Sequence, residues 1–165
     1  MDTTKKKNHY IDKEAFYNEL VKYHDMPENK KKINDYIGNC ILMICNGLAK
    51  KPNFSGYTYI DEMISDGVEN CVMAVDSFDV NNDKKNPFWY FSKIAYYAFL
   101  RRIKFEKKQS YIKHKNVQQY FLHGKIVDVA SNDLSDRVIS DFEEGQKREK
   151  EKKDKAAADK KLDQK

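Results

Sequence analysis

Apolar residues return every three or four positions along two consecutive stretches near the middle of the chain, residues 61–79 and 86–108. This spacing places them on one side of an α-helix, so each stretch predicts an amphipathic helix with one buried face. The apolar face of the first stretch comprises Met63, Ile64, Gly67, Val68, Cys71, Val72, Val75 and Phe78. The second stretch begins with Asn86 and Pro87, a capping residue followed by one suited to the first helical position.

A third apolar stripe precedes these two, over residues 33–50. Its members are Ile33, Ile37, Ile41, Ile44 and Leu48. Two lysines at its end suit the C-terminus of a helix, and Pro52 prevents its continuation. Three neighbouring patterns with short breaks predict an all-α fold, with helices at 33–50, 60–78 and 87–107 around one core. The predicted core residues are Ile37, Ile41, Ile44, Ile64, Val68, Val72 and Phe99.

The flanking segments extend this compact helical domain on both sides. Residues 1–10 are polar and basic, and we expect a flexible N-terminus. Asp12 can cap a helix over residues 11–24. A further helix is predicted at 109–126, so the helical domain as a whole would cover residues 11–125.

The C-terminal segment is predicted in two parts. Residues 126–142 hold a short helical extension. From residue 143 the chain is rich in Lys, Glu, Asp and Ala and has no apolar stripe, a composition typical of disorder. We predict a charged, disordered tail over residues 143–165, with a single charged helix as the alternative.

The predicted loop at residues 52–59 carries three aromatic residues, Phe54, Tyr57 and Tyr59. Their rings either close the core between two helices or make a recognition surface. We expect Phe54 to tuck under the loop, since large apolar side chains are more often buried.

The stretch 86–108 carries aromatic residues around more than half of its circumference and ends in basic residues. They are Phe88, Trp89, Tyr90, Phe91, Tyr96, Tyr97, Phe99 and Phe105, followed by Arg101, Arg102, Lys104, Lys107 and Lys108. A helix needs one apolar stripe to join a core, so some of these rings would face solvent or a partner. Exposed rings beside cations suit unpaired nucleic acid, because bases stack on rings and phosphates attract cations. The alternative is a core helix with a solvated basic tip.

The composition indicates one core domain with a mixed surface. The chain has 165 residues, of which 35% are charged, and its formal net charge is +5. This is a modest electrostatic bias toward nucleic acid. Acidic residues concentrate in 61–83 and basic residues in 101–115. Two different partners are one interpretation of this separation, and a simply mixed surface is the other.

The sequence carries no signal for catalysis or for a bound metal. Cys40, Cys45 and Cys71 lie within apolar helical patterns and form no C-x-x-C motif, so we predict reduced, buried thiols. The four histidines have no ligand spacing, and neither a Gly-rich phosphate loop nor a nucleophile–histidine pairing is visible. We therefore predict no enzymatic activity, no cofactor and no metal site. No apolar run approaches the roughly 20 residues that a membrane span needs.

Several short sequence motifs in residues 53–104 resemble region 2 of bacterial RNA polymerase sigma factors. They are NFSGYT at 53–58, EMISDG at 62–67, Ala74-Val75, Phe78-Asp79, KNP at 85–87, Phe88 and Phe91, AF at 98–99 and RIK at 102–104. The resemblance covers about residues 33–110. It is closest to the late-transcription sigma factors of T4-type bacteriophages.

The resemblance implies a promoter-specificity subunit that binds bacterial core RNA polymerase. Such a subunit recognises and opens an AT-rich element, like the −10 element, in phage late promoters. The acidic helix would dock on the clamp coiled coil of the largest polymerase subunit, through Glu62, Ser65, Asp66 and Glu69. The aromatic helix would bind promoter DNA through Phe88, Tyr90, Phe91, Tyr97, Arg101, Arg102, Lys104, Lys107 and Lys108. We expect Trp89 instead to pack in the core, because the helix at 33–50 needs an apolar partner.

The chain also departs from the family pattern. The tandem tryptophans of the family fall on Ile94 and Ala95, and Ser65 stands where the family usually has glutamine. A phage coactivator and a sliding clamp are further implied partners, although the clamp-binding C-terminal motif is not evident. The implied location is the cytoplasm of an infected bacterial host, with no membrane partner. The alternative function is a free-standing single-stranded nucleic-acid binding protein, which needs only the aromatic, basic helix.

Overall fold

The computed structural model describes residues 11–81, 86–122 and 129–162 of the chain. Every regular element in those ranges is helical, which confirms the prediction of an all-α fold. In chain order they are α1 (Lys13–His24), a short 3-10 turn (Glu28–Lys30), α2 (Asp35–Ala49), α3 (Ile60–Met73), α4 (Pro87–Leu122) and α5 (Val129–Leu162). None of these helices has the length and apolar character needed to cross a membrane.

The chain divides into two compact units between Ile103 and Lys104, within α4. The first unit holds α1, α2, α3 and the first part of α4, and the second unit holds the rest of α4 and α5. The predicted domain end at residue 125 lies outside the described residues. The predicted start of a separate tail, at residue 143, lies inside α5.

Helix α1 begins where the sequence predicts it. The Asp12 carboxylate accepts hydrogen bonds from the backbone N–H groups of Glu14 and Ala15, at 3.0 and 3.1 Å. It thereby satisfies two of the donors that the start of a helix leaves unpaired. One face of α1 is buried, through Phe16, Leu20 and Tyr23.

Helix α2 supplies the centre of the first unit's core. The predicted core residues that are buried or packed against the core are Ile37, Ile41, Ile44, Ile64, Val68 and Phe99. The prediction for Val72 is wrong, since 38% of its surface is exposed. Helix α3 turns Met63, Gly67 and Cys71 inward at four-residue steps. Val72 lies on the same side of the helix as Ile64 and Val68, which are only partly buried.

Helix α3 ends at Met73, five residues before the predicted end at residue 78. The chain continues in hydrogen-bonded turns, in which the N–H groups of Val75 and Phe78 donate to carbonyls three residues earlier at 3.2 Å. These turns still bury Val75 and Phe78. The apolar periodicity therefore extends past the end of the helix itself.

A close approach between α3 and α4 occurs at Gly67. A Cβ atom added there would lie 2.8 Å from Cε1 of Phe99 and 3.2 Å from Sγ of Cys45. We expect Gly67→Ala to lower the free energy of unfolding by about 1–3 kcal/mol, because the well-packed rings and thiols must shift. Urea denaturation followed by circular dichroism measures this loss.

Gly38 on α2 provides the matched control. A Cβ at this position would meet nothing within 4 Å. We expect Gly38→Ala to stabilise the protein by about 0.5–1 kcal/mol, because alanine loses less backbone entropy in a helix. Equal losses of stability in both variants would show that the α3–α4 contact at Gly67 is not tight.

All three cysteines are free and buried, as predicted. The Cys71 thiol donates a hydrogen bond to the backbone carbonyl of Phe91 on α4, at 3.4 Å. The hydrogen bond with Cys45 and burial both raise the pKa of Cys71, so this side chain stays a neutral thiol. These residues pack the α2–α3–α4 contact as small apolar groups.

Helices α4 and α5 pair in the second unit. Lys104 forms an ion pair with Glu149 at 2.8 Å, the rings of Tyr111 and Phe142 stack with centroids 4.5 Å apart, and Gln118 donates to Asp136 at 2.7 Å. Residue numbers rise on one helix as they fall on the other, so the two helices are antiparallel.

The second unit is more helical than the sequence predicts. The helix predicted at 109–126 continues α4 as far as Leu122, because neither Gly nor Pro interrupts residues 104–122. Residues 143–162, for which we predicted disorder, are helical in α5, as in the alternative interpretation. Lys, Glu and Ala have high intrinsic helix propensity. The i,i+4 ion pair of Glu144 and Arg148, at 3.1 Å, adds support.

Candidate nucleic-acid interface

One face of α4 in the first unit exposes large aromatic side chains. Trp89 is 60% exposed, Tyr96 40% and Tyr97 54%, and Lys93 lies between them on the same face. The steps from Trp89 are four, seven and eight residues, which are those of one helix face. We call this set of four residues the aromatic face of α4.

An open, shallow cleft of about 290 Å³ lies between the aromatic face and the end of α2. Leu48 and Lys51 line it from the α2 side. The Lys93 ammonium lies over the Trp89 ring, 4.9 Å from its centroid, a cation–π contact. The cleft thus combines aromatic walls with two lysines.

The loop after α2 supports this cleft. Phe54 is 2% exposed, which confirms the prediction that it tucks under the loop. Its ring makes edge contacts with Phe99, at 5.2 Å, and with Tyr96, at 5.6 Å. The Lys51 carbonyl accepts hydrogen bonds from the N–H groups of Phe54 and Ser55, at 2.8 and 3.0 Å. Backbone hydrogen bonds therefore fix the loop at Lys51, and the contact with Phe54 positions the Tyr96 ring.

Burial overturns the predicted DNA contact of Phe91. Its ring is fully buried, with the rings of Phe16 and Phe78 at 5.5 and 6.0 Å. No face of it is open to a base, so Phe91 belongs to the core. Phe88 is half-buried and packs against the same core. Tyr90 is half-buried as well, and its hydroxyl donates to the Ala74 carbonyl at 3.3 Å.

The prediction that Trp89 packs in the core is also wrong. Phe91, Ala95 and Phe99 form the buried stripe of α4 at four-residue steps. Trp89 lies two residues from Phe91, about 200° around the helix, and so faces away from the core. The four-residue spacing of Phe91, Ala95 and Phe99 is the sequence signal that could have identified Trp89 as an exposed residue. Tyr97, also predicted to contact DNA, is exposed on the same face as Trp89.

The predicted basic strip divides into residues with different roles. Arg102 donates two hydrogen bonds to the Asp66 carboxylate, from Nε and from a terminal nitrogen, both at 2.7 Å. Arg101 donates to the Oδ1 atom of Asn70. These contacts hold α4 against α3, so the structure gives both arginines a positioning role. Lys104, Lys107 and Lys108 belong to the second unit.

The Asp66–Arg102 pair also changes the predicted protein interface. Both side chains are about one-quarter exposed, and the Asp66 carboxylate is directed at α4 rather than outward. The outward face of α3 carries Glu62 and Glu69, which are exposed. The Ser65 hydroxyl on this face donates to the Asp61 carbonyl of its own helix at 2.9 Å.

Removing the Asp66 carboxylate should weaken the contact between α3 and α4. We expect Asp66→Ala to lower the free energy of unfolding by about 1–2 kcal/mol, because the half-buried Arg102 loses a charged acceptor while solvent screens part of the effect. Thermal denaturation measures the change. A double-mutant cycle with Arg102→Ala tests the pair itself, and strictly additive losses would show that the two groups do not interact.

The comparisons with known proteins give no assignment. No protein-family model matches the chain, and no curated protein matches it either. Among the described residues, no group of three or more His, Cys, Asp or Glu side chains is arranged to hold a metal ion. The candidate site therefore consists of the aromatic face, its cleft, and the outward side of α3 with the exposed Glu62 and Glu69, which we call the acidic face of α3.

Proposed function

We propose that this protein is a sigma-like promoter-specificity subunit. It binds bacterial core RNA polymerase and opens an AT-rich, −10-like element of phage late promoters. The observation that carries the proposal is the presence of two exposed faces of opposite character in the first unit. An acidic face lies on α3, and an aromatic, basic face lies on α4. Their order along the chain is that of the resemblance to sigma region 2.

The acidic face suits a basic protein partner. Glu62 and Glu69 are exposed one above the other, and Val72 and the 73%-exposed Met73 continue the same side of α3. Charged groups at the rim with an apolar contact beside them are a usual composition for a protein interface. The partner we propose is the clamp coiled coil of the largest polymerase subunit. Asp66 supports this face from its edge, through Arg102.

The aromatic face suits an opened DNA strand. A base in a duplex has its two faces covered by its neighbours, whereas an unpaired base can stack on a ring. Tyr97 and the side of the Trp89 ring that Lys93 does not cover offer exposed ring surface, and Lys93 and Lys51 offer cations for phosphates. The sequence prediction gives the stacking role to Phe88, Phe91 and Tyr90. We propose Trp89 in their place and keep Tyr97 as a DNA contact.

The second candidate function is single-stranded nucleic-acid binding without polymerase. It is favoured by the cleft alone, which uses none of the residues on the acidic face of α3. The two functions differ in whether that acidic face has a partner.

A pull-down with purified bacterial core RNA polymerase tests the proposed function. We expect the tagged protein to retain core enzyme, and we expect an excess of a bacterial sigma factor to displace it, since both would use the clamp coiled coil. Absence of binding to core enzyme, while the protein still binds single-stranded DNA, would select the second function instead.

A further inference from the structure

We propose that α2 docks, in antiparallel orientation, against α2 of a second copy of this chain. The contact uses the side of the helix that faces away from the core. Its residues, which we call the outward stripe of α2, are Asp35, Asn39, Leu42, Met43, Asn46 and Lys50. The proposed function leaves this surface unused, and the inference does not depend on that function.

The middle of the outward stripe lacks the charged residues that usually cover an exposed helix face. Residues 36–49 contain no Asp, Glu, Lys, Arg or His, although 35% of the whole chain is charged. Leu42 and Met43, at the middle of the helix, are 43% and 37% exposed. On the opposite side of α2, Ile37 and Ile41 are fully buried in the core. The helix therefore has two uncharged sides, of which the described part of the chain buries the inner one.

The order of residues along the outward stripe is symmetric about the middle of the helix. The successive steps from Asp35 to Lys50 are four, three, one, three and four residues, with Asn39 and Asn46 equally far from the midpoint. An isologous dimer has a twofold axis, and an axis through this midpoint would set each residue opposite its counterpart in the second copy. Asn39 would then meet Asn46 of the second copy, and the two apolar residues would meet at the centre.

The two ends of the outward stripe carry opposite charges. Asp35, in the first turn, and Lys50, at the C-terminal cap, are both exposed. Neither side chain forms an ion pair with any residue that the structure describes. Antiparallel pairing sets each Asp35 beside Lys50 of the other copy, whereas parallel pairing would set like charges together. Charge complementarity therefore selects a second copy of this chain in the antiparallel orientation.

The size and polarity of the contact predict a weak but specific dimer. Helix α2 has 15 residues, and at 1.5 Å per residue it spans about 22 Å. A contact along one such helix falls among the small interfaces, below about 1,200 Å², that are typical of transient complexes. Asn39 and Asn46 each carry an amide donor and acceptor and can hydrogen-bond across the pair, which would fix its register. We therefore expect a reversible equilibrium between monomer and dimer.

Sedimentation velocity of the full-length chain, from about 1 µM to about 1 mM, measures this equilibrium directly. We expect the weight-average sedimentation coefficient to rise with concentration from that of a monomer toward that of a dimer. We expect Leu42→Glu to weaken dimerisation at least about a hundredfold, because the twofold axis would bury two unpaired carboxylates at the centre. Leu42 is exposed in the single chain, so circular dichroism should show an unchanged fold.

Charge reversals at the two ends of the stripe test the orientation. We expect Asp35→Lys and Lys50→Glu each to weaken self-association at least about tenfold, because each places like charges at both ends of the dimer. Mixed together, the two variants should form a heterodimer of about wild-type affinity, since both of its ion pairs are restored. Glu14→Lys makes the same change of charge at an exposed position in the first turn of α1. This control should dimerise as the wild type does.

Two results would overturn the inference. One is a chain that stays monomeric over the whole concentration range, and the other is weakened association of the two charge variants that mixing does not reverse. If the chain is monomeric and Leu42→Glu loses core polymerase, the outward stripe belongs to a polymerase contact instead. A dimer that fails to retain core enzyme would reject the proposed function and leave this inference. A monomer that retains core enzyme would do the reverse.

Discussion

Replacing Phe91 with alanine is expected to cost the protein about 3–5 kcal/mol of unfolding free energy. The ring is fully buried, it contacts the rings of Phe16, Phe78 and Tyr90, and its backbone carbonyl accepts a hydrogen bond from the Cys71 thiol. Truncation would leave a cavity that the surrounding rings cannot fill by shifting. Urea denaturation monitored by circular dichroism measures the loss.

Trp89 provides the matched aromatic control for Phe91 on the same helix. Because its ring is 60% exposed, we expect Trp89→Ala to change the free energy of unfolding by less than about 1 kcal/mol. It should nevertheless abolish most single-strand binding. A small loss of stability in Phe91→Ala, or a large one in Trp89→Ala, would reverse the assignment of the two rings to core and surface.

Charge reversal on the acidic face of α3 is expected to remove polymerase binding. We expect Glu69→Lys and Glu62→Lys each to weaken the affinity for core enzyme at least about thirtyfold. A lysine facing a basic partner costs several kcal/mol when the contact excludes water. Both residues are exposed on a helix, and lysine is a good helix former. The melting temperature should therefore stay close to that of the wild type. Quantitative pull-down or surface-immobilised core enzyme gives the affinity.

Glu151→Lys on α5 is the control for this pair of variants. It makes the same change in net charge at an exposed helical position of the second unit. We expect it to bind core polymerase as the wild type does. If all three variants lose affinity equally, the effect is one of total charge and the acidic face is not the interface.

Much of the first unit follows from the sequence because its helices carry clear periodic signals. The stripe from Ile37 to Ile44, the cap at Asp12 and the burial of Phe54 are all predicted and all found. The cap is a local interaction and the stripe forms one strongly apolar face, while Phe54 follows the general tendency of large apolar rings to be buried. The end of α3 is not predicted, since buried turns through Val75 and Phe78 continue the same periodicity.

The candidate site is less predictable. Several sides of α4 carry aromatic residues, and which side is buried depends on how α4 packs against the other helices. Phe91 and Trp89 are chemically similar, and their exchange of roles follows from the register of α4 against Phe16 and Phe78. Likewise, Asp66 and Arg102 are 36 residues apart, and no local pattern shows that they pair. The sequence predicts a short helix and a disordered tail where α5 forms, because helix propensity alone, without an apolar stripe, gives only a weak signal.

The measurement that tests the central claim most directly is the affinity for a forked, AT-rich DNA probe at physiological salt, with and without core polymerase. We expect tight binding only when core enzyme is present, because the few lysines of the cleft engage too few phosphates to hold DNA alone. We expect Trp89→Leu to lose this binding while still retaining core enzyme. Tight, sequence-specific binding of duplex DNA by the protein alone would contradict the account. So would tight single-strand binding that core polymerase leaves unchanged.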